Sequence, residues 1–371
     1  MKKEEGEAMV REISLADIEG LRIGHAQDEE AMTGVTVLLF DRGARVGVDI
    51  SGGGPASRET PLALPLTADN PVDAIVLSGG SAFGLAASDG VMRYLEERGI
   101  GYDTGFAKVP LVCQSCIYDL GCGRADVRPD SAMGYGACVD AERSGAGQAE
   151  VGRAASGLGA AGAGASGQPG PGMVVSGPDV PGQAGSDAVR PDGPGQEAPV
   201  QTPDRMGRIG AGTGATVGKL YGMERSMKGG LGICAVAVGK LKMAAIVVVN
   251  AVGDIVDPKT GKKVAGLRSE DGKGFGDTRT ELYKISQRRD LFNSNTTIGV
   301  VVTNGRFSKA EMAKIASMAR NAYARCIDPV GTMADGDTIY AASIGGEEAD
   351  LNMAGTLAAQ VMTEAILRAV R

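Results

Sequence analysis

The stretch Asn295-Thr296-Thr297-Ile298-Gly299-Val300-Val301-Val302-Thr303-Asn304 decides how the chain is read. The run from Thr297 to Val302 is β-branched and apolar and follows a polar, charged segment, which marks a buried strand with Thr296 at its mouth. A threonine hydroxyl is inert near neutral pH until a base takes its proton, and a free α-amino group, with a pKa of roughly 7.7–8, is such a base. Cutting the backbone before Thr296 would give that one residue both nucleophile and base. Two plainer readings stand beside this one. The Asn-Thr pair can simply open a strand, or Asn295-x-Thr297 can be a glycosylation sequon, which matters only in a secreted chain.

Outward from this strand the patterning is regular. Val35 to Phe40 and Arg45 to Ile50 read as two paired strands around an Asp41-Arg42-Gly43 turn, and Ala74 to Leu77 reads as another strand. Phe83 to Arg98 reads as a helix closed by Gly99. Ile233 to Val238 and Ala244 to Val249 form a second strand pair. Ser308-Lys309-Ala310-Glu311 has the spacing of a capping box and opens a helix carrying Met312, Ile315, Ala319 and Ala322 on one face. Asp337 to Ser343 is a last strand, followed by a helical repeat of Leu357, Val361, Ala365 and Ala369. Strands and helices come in blocks, which favours helices layered outside stacked sheets. Between Glu142 and Arg208 the sequence collapses into Gly, Ala, Ser, Pro and Gln, too poor in apolar area to offset its ordering entropy; residues 142–208 are expected to be a disordered insertion and residues 1–12 a flexible N-terminus.

Composition narrows the function. The formal charge of −7 comes from 38 basic and 45 acidic residues interspersed along 371 positions, and only 4% of the chain is aromatic, so nothing points to nucleic acid. The first twenty residues hold no secretory signal, and no run reaches the ~18 apolar residues of a membrane span. A soluble cytoplasmic protein is expected, with no membrane partner. Cys113-x-x-Cys116 with Cys122 resembles half a metal site, yet His25 is the only histidine and no second Cys pair completes a tetrahedron. Reduced, buried thiols and no metal are expected, with His25 a packed loop residue. Gly210-Ala211-Gly212-Thr213-Gly214-Ala215-Thr216-Val217-Gly218-Lys219 lacks both the leading glycine and the trailing Ser or Thr of a phosphate loop, so no nucleotide is expected. Lys219, set among small residues, can lose its proton through burial, hold a nearby carboxylate, or be a solvated loop lysine.

Six segments resemble one family in order: Gly79-Gly80-Ser81-Ala82-Phe83-Gly84-Leu85, Gly212 to Lys219, Lys228-Gly229-Gly230-Leu231-Gly232, Val249-Asn250-Ala251-Val252-Gly253-Asp254, Asn295-Thr296-Thr297-Ile298 and Asp335-Gly336-Asp337-Thr338. They resemble the DmpA-type peptidases, which include L-aminopeptidase D-Ala-esterase/amidases, β-peptidyl aminopeptidases and an endo-type nylon-oligomer hydrolase. The resemblance covers all but the first dozen residues and the insertion. It implies an α+β, four-layer αββα sandwich, layered like the Ntn-hydrolases but wired differently, with residues 13–141 and 209–371 in a single domain. It further implies a precursor that cuts itself between Asn295 and Thr296, a Thr296 nucleophile for both self-cleavage and amide hydrolysis, no cofactor, small peptide or amino-acid amide or ester substrates, and a tetramer or octamer.

Carried over by motif, Lys219, Asn250, Asp335 and Asp337 complete the implied site. The nylon-oligomer hydrolases share this set, whereas the aminopeptidase branch has Tyr for the lysine and Ser at the first acidic position. Asn250, leaving a strand end, can offer its amide N–H to an oxyanion, a donation worth ~2.7–4 kcal/mol of barrier. Asp335 and Asp337, two apart on an extended backbone, face the same side and can hold Lys219 and Thr296 in register. The alternatives are acyl transfer of the ornithine acetyltransferase type, an endo-amidase, or an unprocessed scaffold.

Overall fold

The computed structural model describes residues 10–155, 204–285 and 295–371. Its main elements are β1 (Leu21–Asp28), β2 (Thr33–Ile50), β3 (Val72–Ser78), α1 (Ala87–Glu96), β4 (Val112–Cys116), α2 (Ser131–Ala155), β5 (Gly230–Val238), β6 (Leu241–Asn250), β7 (Thr296–Gly305), α3 (Lys309–Ala319), α4 (Asn321–Cys326), β8 (Thr338–Glu347) and α5 (Leu351–Arg368). Hydrogen bonding orders the strands β5, β6, β7, β8, β2, β3, β4, with β1 also on β2. All neighbours are antiparallel except β7 with β8 and β3 with β4.

Three apolar clusters show how this sheet makes layers. Side chains alternate across a strand, so β6 sends Val247 and Val249 to a cluster with Met312 of α3, Tyr323 of α4 and Leu357 of α5. It sends Ile246 and Val248 the other way, where they meet Leu38 of β2 and Ile75 and Leu77 of β3. The remaining faces of β2 and β3, through Val37, Leu39 and Val76, pack on Val91 of α1 and Cys138 of α2. The order is therefore helices, sheet, sheet, helices, the αββα arrangement expected from the resemblance. Burying each such Val, Leu or Ile contributes roughly 1.5–3 kcal/mol.

Strand β2 departs from the sequence reading. Val35–Phe40 and Arg45–Ile50 do not pair with each other; they are one continuous strand of 18 residues. Its first half pairs with β1 and β3 and its second half with β8. Asp41-Arg42-Gly43 is a bulge, not a turn: the β3 register jumps between Leu39 and Ala44, and Gly43 takes φ +69°. A left-handed glycine can kink a strand as readily as reverse it. Here the kink carries the chain from one sheet to the other.

Other differences are local. Ser81–Ala86 is a 3-10 turn that leads into α1, and Ala322 belongs to α4, so the expected helix from Ser308 is split in two. The backbone of α2 runs to Ala155, past the boundary expected at 142. Asp204 accepts a bond from Leu15 N at 2.9 Å and Arg205 pairs with Asp140, so ordered chain resumes before 209. Arg11–Glu12 already pairs with β5. The rest of the insertion expected over 142–208, residues 156–203, lies outside the described residues.

The capping box forms as its spacing requires: Ser308 N donates to Glu311 Oε2 at 2.8 Å and Glu311 N donates to Ser308 Oγ at 3.3 Å. Ser308→Ala removes one half of this reciprocal pair. It is expected to lower stability by about 1 kcal/mol, measured by urea denaturation, without touching the chemistry described next.

Candidate active site

Antiparallel pairing brings the end of β6 to the start of β7, where Asn250 and Thr296 are direct cross-strand partners. Asn295 bridges to Asp335 in the segment entering β8. Lys219, Asn250, Asn295, Thr296, Asp335 and Asp337 are all buried at this strand end, although they come from four separate stretches of sequence. The structure thus brings together every residue expected of the site.

The Asn295–Thr296 peptide bond is itself engaged. Thr296 Oγ1 donates to the Asn295 carbonyl oxygen in a short contact, and Gly336 N donates to the same oxygen at 3.3 Å. A Cβ on Gly336 would lie 2.9 Å from Thr296 Oγ1 and 3.0 Å from the Gly54 carbonyl. Only glycine lets this N–H approach the bond while leaving room for the hydroxyl. Gly336→Ala is expected to push the Thr296 hydroxyl off the Asn295 carbonyl, and any breakage of this bond, followed as the fraction of intact chain against time, is expected to slow at least ten-fold.

Lys219 Nζ donates to Asn250 Oδ1 at 2.7 Å and to the Asn250 carbonyl at 3.2 Å. Asn250 Oδ1 also accepts Thr216 N at 3.1 Å, and its Nδ2 donates to the Tyr118 carbonyl at 3.0 Å. The Asn250 amide therefore faces Lys219 and Tyr118, and the backbone donor on the Asn295 carbonyl is Gly336 N–H. The two aspartates also divide their work. Asp335 Oδ2 accepts Thr332 N at 2.7 Å and Thr332 Oγ1 at 2.6 Å, and its charge acts on Lys219. Asp337 accepts Thr297 N at 2.7 Å and Gly331 N at 3.0 Å, so it fixes the backbone next to Thr296, not the Thr296 side chain.

Burial sets the ionisation of all three groups. It brings the Lys219 ammonium down to about 7, against the opposing pull of Asp335 and Asp119. It raises Asp337 to about 7, reinforced by the charge of Asp335. Asp335 is raised by burial too, tempered by its Thr332 bonds and by Lys219. Groups held near neutrality can exchange protons with little driving force, which acid–base chemistry needs.

Asp119 was not legible as a site residue. It is buried, accepts Gly80 N and Thr33 Oγ1, each at 2.7 Å, and acts by charge on Lys219. It lines a cavity of about 100 Å³ with Tyr118, Cys122, Thr216, Lys219 and Met223. Its tie to Gly80 explains what the Gly79-Gly80 motif does, but a contact across 39 positions leaves no sequence spacing to find. His25 lies in β1, bonded to Thr36 Oγ1 at 3.0 Å and driven to about 3 by burial, a neutral packing residue. Cys113 and Cys116 are buried thiols pushed up to about 12.

The profile of peptidase family S58 matches residues 14–172 and 180–371. The chain belongs to peptidase family S58. An uncharacterized aminopeptidase of Mycobacterium leprae is 34% identical over 91% of this chain and 80% of its own. The 6-aminohexanoate-oligomer endohydrolase of Kocuria sp. is 29% identical over 97% and 87%. Among solved structures, a Burkholderia sp. β-aminopeptidase superposes with a TM-score of 0.59 at 16% identity, over 96% of this chain and 85% of that one. The L-aminopeptidase D-Ala-esterase/amidase of Ochrobactrum anthropi, described as a variant of the Ntn hydrolase fold, gives 0.59 at 15% over the same shares. This S58 peptidase is thus a hydrolase of peptide or amide bonds on a DmpA-like α+β sandwich. Among its described residues no helix is long and apolar enough to cross a membrane.

Proposed function

We propose that this chain is a precursor that severs its own Asn295–Thr296 bond and then hydrolyses small peptides or amino-acid amides with Thr296 as N-terminal nucleophile. The observation that carries the reading is the Thr296 hydroxyl lying against the Asn295 carbonyl while Gly336 N–H holds that carbonyl's oxygen. In the uncut chain, neutral Lys219 takes the hydroxyl proton as Oγ1 attacks the Asn295 carbonyl carbon. The Gly336 N–H stabilises the charge that develops on oxygen, and the Thr296 nitrogen leaves with a proton as the acyl group moves to Oγ1. Water then hydrolyses the ester, freeing the Asn295 carboxylate and returning the Thr296 hydroxyl beside the amine released in the shift. That amine serves as base when Oγ1 attacks a substrate, and Asp335 and Asp337 keep Lys219 and the Thr297 backbone in place.

The Lys219 side chain favours one refinement. The endo-type nylon-oligomer hydrolases share the Lys/Asn/Thr/Asp/Asp set, so internal amide bonds of short oligomers are a second substrate class beside N-terminal residues. A tetramer or octamer and a cytoplasmic location complete the proposal. Intact mass and N-terminal sequencing of purified protein test it: a fragment beginning Thr296-Thr297-Ile298 is expected, and an active preparation consisting only of full-length chain overturns it.

A further inference from the structure

The helix-facing side of β7 carries polar atoms that the chemistry above leaves unused. Ile298 and Val300 point into the inter-sheet core, so Thr297 and Gly299 turn toward α4 and α5. Gly299 pairs with Ile339 on β8 and Ile339 with Asp49 on β2, which sets Gly299, Ile339 and Asp49 in one row of this face. Asp337 sits one step along, bonded to Thr297 N. From α4 the Tyr323 ring reaches over Gly299, its hydroxyl 2.9 Å from where a Cβ would stand.

Among the described residues, Tyr323 OH, Thr297 Oγ1 and Asp49 Oδ1 are buried and form no hydrogen bond. Arg320 Nε stands 3.2 Å from Asp49 Oδ1 but out of line for one. The carboxylates whose charge Tyr323 feels are Asp337 and Asp49, and Asp337 in turn feels Asp335. Buried hydroxyls without partners are costly, and internal water commonly resolves such a cluster by bonding to about three groups at once. Each Asp337 oxygen already takes one backbone N–H and keeps a lone pair for another donor.

We infer that an internal water, held by Thr297 Oγ1, Tyr323 OH and Asp49, donates to Asp337 from the helix side of the sheet, so that Thr297 and Tyr323 are positioning residues for the proton of Asp337. The inference rests on Asp337 serving the Thr296 site as proposed above. It explains why a tyrosine deep among apolar side chains ends over Gly299, where no side chain of β7 fills the space.

Tyr323→Phe and Thr297→Val each delete one hydroxyl that makes no direct bond and keep the shape, so folding is expected to survive at least one of them. The carboxyl infrared band of Asp337, identified by its loss in Asp337→Asn, is titrated in full-length wild type and in both variants. Loss of a donor to a carboxylate raises its midpoint, here by about one pH unit in either variant, and the acid limb of turnover follows. A purely packing role for the ring moves neither. Midpoints equal to wild type in both variants overturn the inference, whatever the cleavage result. Shifted midpoints in a chain that stays intact and inert overturn the Thr296 reading and leave this one standing.

Discussion

Thr296→Ala is expected to remain a single 371-residue polypeptide on a denaturing gel and to hydrolyse amino-acid p-nitroanilides at least about a thousand-fold more slowly than wild type. The substitution removes the hydroxyl that lies against the Asn295 carbonyl, so neither the acyl shift nor an acyl-enzyme can form on it. What survives in enzymes stripped of their nucleophile is binding and oxyanion stabilisation, worth ~10³–10⁴ over water and far below the intact machinery. The fold has little to lose, because the deleted atom contacts a carbonyl already held by Gly336 N–H. Thr296→Ser, which restores a hydroxyl, is expected to recover cleavage in part. A Thr296→Ala protein that is cut at the same bond overturns the assignment.

Lys219→Arg is expected to reduce self-cleavage by about 10²–10⁴-fold, the usual weight of a general base. Lys219 ionises at about 7, so its neutral fraction, and with it the cleavage rate, rises as pH passes upward through about 7 and then levels. Asp337 ionises near the same pH and points the same way: its protonated form no longer presents two anionic oxygens to Thr297 N and Gly331 N. Arginine keeps the charge beside Asp335 and Asn250 but is never neutral. A purely structural cation would therefore survive this exchange and retain the wild-type rate. Stopped-time gels across pH 5–9, a range spanning roughly two units either side of the Lys219 midpoint, separate the two outcomes.

The candidate site was legible as short ordered motifs shared with a known family: Lys219, Asn250, Thr296, Asp335 and Asp337 could be named from them, and the structure gathers these side chains at one strand end. It was illegible where the work is done by backbone. Gly336 N–H, which takes the Asn295 carbonyl, and the Tyr118 carbonyl and Thr216 N, which with Lys219 orient the Asn250 amide, carry no residue signature. The fold was legible through period-two alternation in β6 and β7 and through the Ser308 capping box. The reading failed at Asp41-Arg42-Gly43 because a left-handed glycine between two β-branched runs has the same local pattern whether the strand reverses or bends. Only the partners of each half, β1 and β3 on one side and β8 on the other, distinguish the two.

The interleaving of the strands has a consequence for a molecule cut before Thr296. β7 and β8 lie side by side in the downstream fragment, flanked by β6 and β2 of the upstream one. Severing one peptide bond leaves those ladders intact, so the two pieces remain locked as one body. Once unfolded, however, they no longer share a tether: refolding becomes second-order in protein, while the uncut Thr296→Ala chain refolds at a rate independent of dilution. Maturation would thus turn a reversible fold into one whose persistence depends on how slowly it opens.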